Sequence, residues 1–203
     1  PPPRPPPPPS SPPYLPPPPS PPSPPRAPPP PTPLRTCESY GDPHILPFYT
    51  WRAYDLHGLG AYTLLDTLLD GGERFTLQTF HCPAGGAWSG LSSNAAVAMR
   101  YGASTVLIIG RNASINGVAV ESEGMAGGVH VAQGSRGRRS VFVTLAEERI
   151  RFRASTIDID ERRVRSGFLM NVRLHAPSQY TYRGGGSTGA CMGSAEGAAA
   201  GPL

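Results

Sequence analysis

The chain of 203 residues contains no lysine; all 18 of its basic residues are arginine. A phosphate-binding P-loop needs a Gly-Lys-Ser/Thr ending, and Schiff-base chemistry needs a side-chain amine, so both classes are excluded. Cysteine is scarce. Three residues, an odd number, leave at least one thiol outside intramolecular pairing. No apolar run approaches the roughly 18 residues of a spanning helix, so no membrane span is expected in this segment. There is no initiator Met and no signal peptide, which points to a piece of a longer or processed precursor. Acidic residues are missing from the first 37 positions, where Arg4, Arg26 and Arg35 lie. The other 15 arginines are nearly balanced by 14 Asp and Glu. A nucleic-acid-binding domain carries a larger basic excess on its folded part, so no nucleic-acid partner is expected.

What is abundant is proline, and it is placed very unevenly. Of 28 prolines, 23 fall within the first 33 positions. Proline has no backbone N–H to share, so residues 1–36 are expected to be a disordered or polyproline II stalk or linker. At about 3.1 Å per residue such a tract spans roughly 100 Å. Its Ser-Pro-Pro blocks, at Ser11, Ser20 and Ser23, resemble the hydroxyproline-rich stalks of plant and green-algal wall glycoproteins. That likeness implies hydroxylated, sugar-bearing prolines.

From Cys37 to Leu203 the pattern changes to short β-type runs between glycine-rich turns. ERFTLQTF (73–80) alternates, STVLIIG (104–110) is a short β-branched apolar run, and TLLDTLL (63–69) is read as a strand beside them. Asn116-Gly117 is the strongest short-range hairpin signal available. SVFVTLA (140–146), RIRFRAS (149–155) and FLMNVRLH (168–175) supply further strands. The expectation is one all-β domain over residues 37–203: a β-sandwich of eight to ten short antiparallel strands.

Cys37-Glu-Ser-Tyr-Gly-Asp-Pro-His44 is the most informative stretch. It resembles the opening of von Willebrand factor type D domains, where a Cys precedes Gly-Asp-Pro-His. Phe48, Tyr54-Asp55-Leu56 before Gly58, and Tyr62-Thr63-Leu64 keep that family's rhythm, and Gly189-Ala190-Cys191-Met192-Gly193 stands where it has Gly-Leu-Cys-Gly-Asn. The resemblance covers residues 37–197 and implies an extracellular β-sandwich of matrix or adhesive proteins. It also implies a Cys37–Cys191 disulfide. Closing a loop of 154 positions would constrain the unfolded chain by on the order of 4–5 kcal/mol. Departures from the pattern are Phe48-Tyr49-Thr50 in place of Phe-Asp-Gly, and Gly60 in place of a Cys. The Asn/Asp-rich calcium loop is reduced to one glutamate, Glu196, so neither calcium nor any other metal or cofactor is expected. The usual partner of Cys82 is absent from residues 83–100. Cys82 is then either a buried free thiol or the site of an intermolecular disulfide.

Some members of that family break the Asp-Pro bond of this motif. Here the bond is Asp42–Pro43, with His44 close enough in sequence to assist proton transfer. The other account of Gly-Asp-Pro is a tight turn, Asp42 capping backbone N–H groups and Pro43 fixing φ. Arg149, Arg151 and Arg153 alternate along one strand face; they mark either its wet side or a cradle for an anionic polysaccharide. Asn112-Ala113-Ser114 is an N-glycosylation sequon. Together these point to an extracellular structural or adhesive module of a cell wall, matrix or surface appendage. Its partners would be other matrix protein chains, and it would not be an enzyme acting on separate substrates. The alternatives are an autoproteolytic module and a polysaccharide binder.

Overall fold

The computed structural model describes residues 1–4, 31–84, 91–134, 139–159, 168–182 and 186–193. The chain divides into two units, Pro1–Pro31 and Thr32–Leu203. Of the first, residues 1–4 are exposed and without regular structure, and residues 5–30 of the stalk expected over residues 1–36 lie outside the described residues.

The second unit is all-β. Its eight-stranded antiparallel sheet begins at β1 (Leu34–Tyr40), β2 (His44–Leu46) and β3 (Tyr54–Asp55). It continues through β10 (Glu123–Ala126), β11 (Val129–Gln133), β12 (Ser140–Leu145), β13 (Ile150–Asp158) and β14 (Phe168–Pro177). The six-stranded antiparallel sheet holds β4 (Gly60–Leu68), β5 (Arg74–Pro83) and β6 (Ser92–Tyr101), then β7 (Ser104–Ile109), β8 (Asn112–Ile115) and β9 (Val118–Val120). In space the larger sheet runs β10-β11-β12-β13-β14-β1-β2-β3, and the smaller follows chain order from β4 to β9. β1 joins the two parts of the larger sheet by pairing with β14, Cys37 opposite Leu174. Residues 34–36, which composition groups with the proline-rich segment, pair there with residues 175–177.

Alternation produces the faces. In β7, Ser104, Val106 and Ile108 are buried while Thr105, Leu107 and Ile109 are exposed, the period of two that a pleated strand requires. β13 repeats this, with Ile150, Phe152 and Ala154 inward and Arg151 and Arg153 outward. Phe75, Leu77, Met99 and Ile108 from the smaller sheet meet Ile45, Leu145, Phe152, Met170 and Leu174 from the larger in one core. A polar pin crosses it: the Asn94 amide of β6 donates to Ser39 Oγ of β1 at 2.9 Å and to the Met170 carbonyl of β14 at 3.1 Å.

The fourteen strands among the described residues exceed the expected eight to ten. The additional ones are mostly two to four residues long, or, like β6 (SSNAAVAMRY), rich in alanine with little β-propensity of their own. Position between β5 and β7, with Val97 and Met99 in the core, makes β6 a strand. The Asn116-Gly117 turn forms as expected between β8 and β9. Its φ values of 51° and 79° place both residues in the left-handed region that a type I′ hairpin demands.

Candidate functional site

The Gly41-Asp42-Pro43 turn joins β1 to β2, with Tyr40 opposite His44 and Ser39 opposite Ile45. Both of its flanks are tied down by the backbone. The Gly41 N–H donates to Asn171 Oδ1 of β14 at 3.0 Å, and the Leu56 N–H donates to the Pro43 carbonyl at 2.8 Å. Pro43 is buried, while Asp42 and His44 remain about one-third exposed.

The short strand β3 completes the arrangement. Pairing of β2 with β3 sets His44 opposite Asp55. The imidazole is consequently held from both sides: Nε2 lies 2.8 Å from Asp42 Oδ1, and Nδ1 lies 2.6 Å from Asp55 Oδ1. His57 Nε2 stands 3.7 Å from the other Asp55 oxygen, and its ring meets that of His44 edge-on at 6.4 Å. Both ring nitrogens of His44 face carboxylate oxygens, and only a doubly protonated ring donates to both. The motif thus presents a carboxylate attached to the residue before a proline, a histidine bonded to that carboxylate, and a second carboxylate orienting the histidine. Such a set can carry acid–base chemistry.

Sequence reasoning identified Asp42, Pro43 and His44 but assigned no role to Asp55 or His57. Tyr54-Asp55-Leu56 marked only a family rhythm. A two-residue strand leaves no periodicity to detect, and nothing local says that Asp55 faces His44.

The disulfide is anchored on β1, the strand that leads into the turn. Cys37 of β1 and Cys191, in the 3-10 turn Ala190–Met192, are bonded and almost fully buried, their Cα atoms 5.7 Å apart. The loop carrying Cys191 is fastened by Phe48 N–H to the Cys191 carbonyl, by Tyr54 Oη–H to the Ala190 carbonyl, and by paired bonds between Asp66 and Thr188. Gly189 fits only because it has no side chain, since a Cβ there would meet the Leu64 carbonyl oxygen at 2.6 Å and φ is +114°. The disulfide bridges 154 positions, so it spans the Asp42–Pro43 bond.

Below residues 56–58, His81 of β5 is buried, with Tyr62 stacked on its ring at 4.4 Å. Its Nε2 is hydrogen-bonded to Thr79 Oγ1 at 3.0 Å, and among the described residues its Nδ1 has no partner of hydrogen-bonding geometry. Burial pushes this histidine down to about 4; the nearby carbonyls of Leu56 and Gly58 oppose the shift and His57 adds to it.

The remaining expected sites are dispersed. Cys82 is free and partly exposed near the end of β5, and burial pushes its thiol up, away from the reactive thiolate. Asn112 is exposed as the first residue of β8, one position past the Gly110-Arg111 turn. Arg151 and Arg153 share the outer face of β13, but Arg149 does not join them. It sits in the preceding turn with φ of +56°, its N–H bonded to the Ala146 carbonyl, so the expected strand face of three arginines is a face of two. Glu196 lies outside the described residues. Among the described residues, no helix is long and apolar enough to cross a membrane. No protein-family model matches the chain, and no curated protein matches it.

Proposed function

We propose that the folded unit is an extracellular structural module that cuts its own chain at Asp42–Pro43, with the products kept in one molecule by Cys37–Cys191. The observation that carries the reading is the grip on His44, between the Asp42 carboxylate at 2.8 Å and the Asp55 carboxylate at 2.6 Å. In the proposed reaction an Asp42 side-chain oxygen adds to the carbon of its own backbone carbonyl, forming a five-membered ring. The C–N bond to Pro43 breaks, and the proline nitrogen leaves as an amine after taking the proton that His44 carries. Water opens the resulting cyclic anhydride, leaving Asp42 as a C-terminal residue. Proline supplies a tertiary amide nitrogen, a comparatively good leaving group. Asp55 is a positioning residue, holding the imidazole on the turn.

The extracellular assignment rests on the disulfide, which persists in oxidising compartments, and on the serine-punctuated proline segment. The assembly role within a wall, matrix or appendage rests on that segment and on the partly exposed free thiol of Cys82. A cut there would leave residues 1–42, with the proline segment, joined to the sandwich through Cys37.

The test is intact mass of the secreted protein, reduced and non-reduced, after incubation at mildly acidic and at neutral pH. Two fragments meeting at Asp42–Pro43 on reduction, with an undivided mass before it, is the expected result. A chain that stays whole under reduction at both pH values would reduce the motif to a turn and leave the structural role alone.

A further inference from the structure

The outer face of the larger sheet carries an arrangement that folding by itself disfavours. Register places Arg153 of β13 opposite Arg173 of β14, and Arg151 opposite His175. Like charges directly opposed across strands are destabilising, and here two cationic or potentially cationic pairs lie side by side. His175 responds to its setting: burial first, then Arg151 and Arg173, hold it below the usual histidine range. Of these arginines, Arg173 is paired, with Glu38 at 2.8 Å. Arg153 rests on the Phe142 ring at 5.7 Å and donates to Ser140 Oγ, and among the described residues neither it nor Arg151 forms an ion pair with a carboxylate.

Two clefts make this face a receptacle. One, of about 630 Å³, is lined by Arg139, Arg153, Arg173, Tyr40, Phe142 and Asn171. The other, of about 510 Å³, shares Glu38 and Arg173 with it and adds Arg35, Tyr49, Trp51 and His175. Trp51 is 97% exposed, and Arg35 stacks on Tyr49. From β12 to β2 the strip crosses five strands, about 19 Å at the usual interstrand spacing.

We propose that this strip, centred on Arg153 and Arg173 in the clefts, with Arg151 beside them on the same outer face of β13, binds an anionic polysaccharide bearing sulfate or uronic-acid groups. Guanidinium forks match planar or tetrahedral oxyanions in paired hydrogen bonds, and such a ligand relieves the repulsion between opposed cations. Tyr40 and Trp51 offer apolar faces beside the cations, while Phe142 and Tyr49 carry Arg153 and Arg35 on theirs, a mixture of faces and charges that suits a sugar chain. Both clefts are open, which suits a polymer lying across strands better than a small enclosed anion. Duplex nucleic acid is disfavoured because 14 acidic residues nearly offset the 15 arginines outside the first 35 positions. The proposal is independent of the cut at Asp42–Pro43.

The experiment measures affinity of the whole chain for a sulfated glycosaminoglycan, a polyuronate, a neutral glucan and duplex DNA, at two salt concentrations. Binding to one or both anionic polysaccharides, weakened about tenfold for each of Arg151→Ser and Arg153→Ser, is expected. The arm that binds tells sulfate from carboxylate. Arg149→Gly, in the adjoining turn, should leave binding unchanged. Both serine variants should melt at or above the temperature of the parent chain, because a repulsion has been removed. Should either variant fold poorly, Arg151→Lys and Arg153→Lys keep the charge and lose the fork, and weaker binding is again expected. The proposal is overturned by no binding to either polysaccharide, by binding that survives both serine substitutions, or by equal affinity for DNA.

Discussion

Two tight turns of this molecule achieve their shape by different physics. Asn116-Gly117 joins β8 to β9 through local sterics: both residues have positive φ, and the Asn116 side chain accepts the Thr105 N–H at 2.8 Å. Gly41-Asp42-Pro43 joins β1 to β2, but its ties come from far along the chain, from Asn171 and Leu56, and its histidine is held by Asp55. The first turn is a property of a dipeptide between two strands. The second is a property of four strands, and a residue there can have chemical consequences because its neighbours are not its sequence neighbours.

The largest contrast should come from Asp42, the nucleophile of the proposed cut. Asp42→Asn is expected to abolish fragmentation on reduction, while Asp55→Asn slows it by about 100-fold, the lower range for losing a positioned proton donor. The intact-mass time course decides this, and equal rates for Asp55→Asn and the parent would mean that the His44 grip is only structural. No substitution at Asn116 should alter the rate.

Removing the disulfide with Cys37→Ser and Cys191→Ser is expected to lower stability by about 4–5 kcal/mol, read from urea unfolding. Amide exchange then sharpens the comparison. The Leu56 N–H, bonded to the Pro43 carbonyl, should lose protection by local opening well before the Asn116 N–H, bonded to the Thr105 carbonyl.

Acid should separate the turns as well. Burial lowers the folded-state value of His81 to about 4, against about 6.5 for an exposed histidine. The unfolded chain therefore takes up the proton first. The stability contributed by neutral His81 is fully present above pH 6.5 and falls by about 3 kcal/mol as pH drops to 4. His81→Gln should flatten that part of the stability profile. Asp66, held below the usual carboxylate range by Arg74, adds its own loss only under more acidic conditions. A profile indifferent to His81→Gln would remove the histidine from any part in supporting residues 56–58.

The smallest effect belongs to the hairpin. Gly117 has φ of +79° and open space where a Cβ would stand, so Gly117→Ala adds strain without collision. A loss of about 1–2 kcal/mol in thermal or urea unfolding is expected, with unchanged fragmentation.

The difference between the turns also explains what could be read in advance. Alternation announced β5 and β13, a β-branched apolar run announced β7, and the Asn-Gly pair announced its hairpin, because these signals are local. β6 stayed hidden because its alanines carry little preference of their own. Arg149 was misplaced because a turn with positive φ at an arginine has no compositional mark. Asp42 and His44 stood out as a motif, but Asp55 did not, since an aspartate on a two-residue strand looks like any loop carboxylate.

The amino-acid order by itself determined the class of fold, the inward and outward faces of the longer strands and the break between a proline-rich segment and a β domain. Those follow from side-chain period and from the missing N–H of proline. Tertiary structure decided that β1 pairs with β14, that Cys37 meets Cys191, that Asp55 faces His44 and that Arg153 faces Arg173. Each of these is a contact across many positions, chosen by the packing of two sheets around one core, and no local preference encodes which distant strand will be the neighbour.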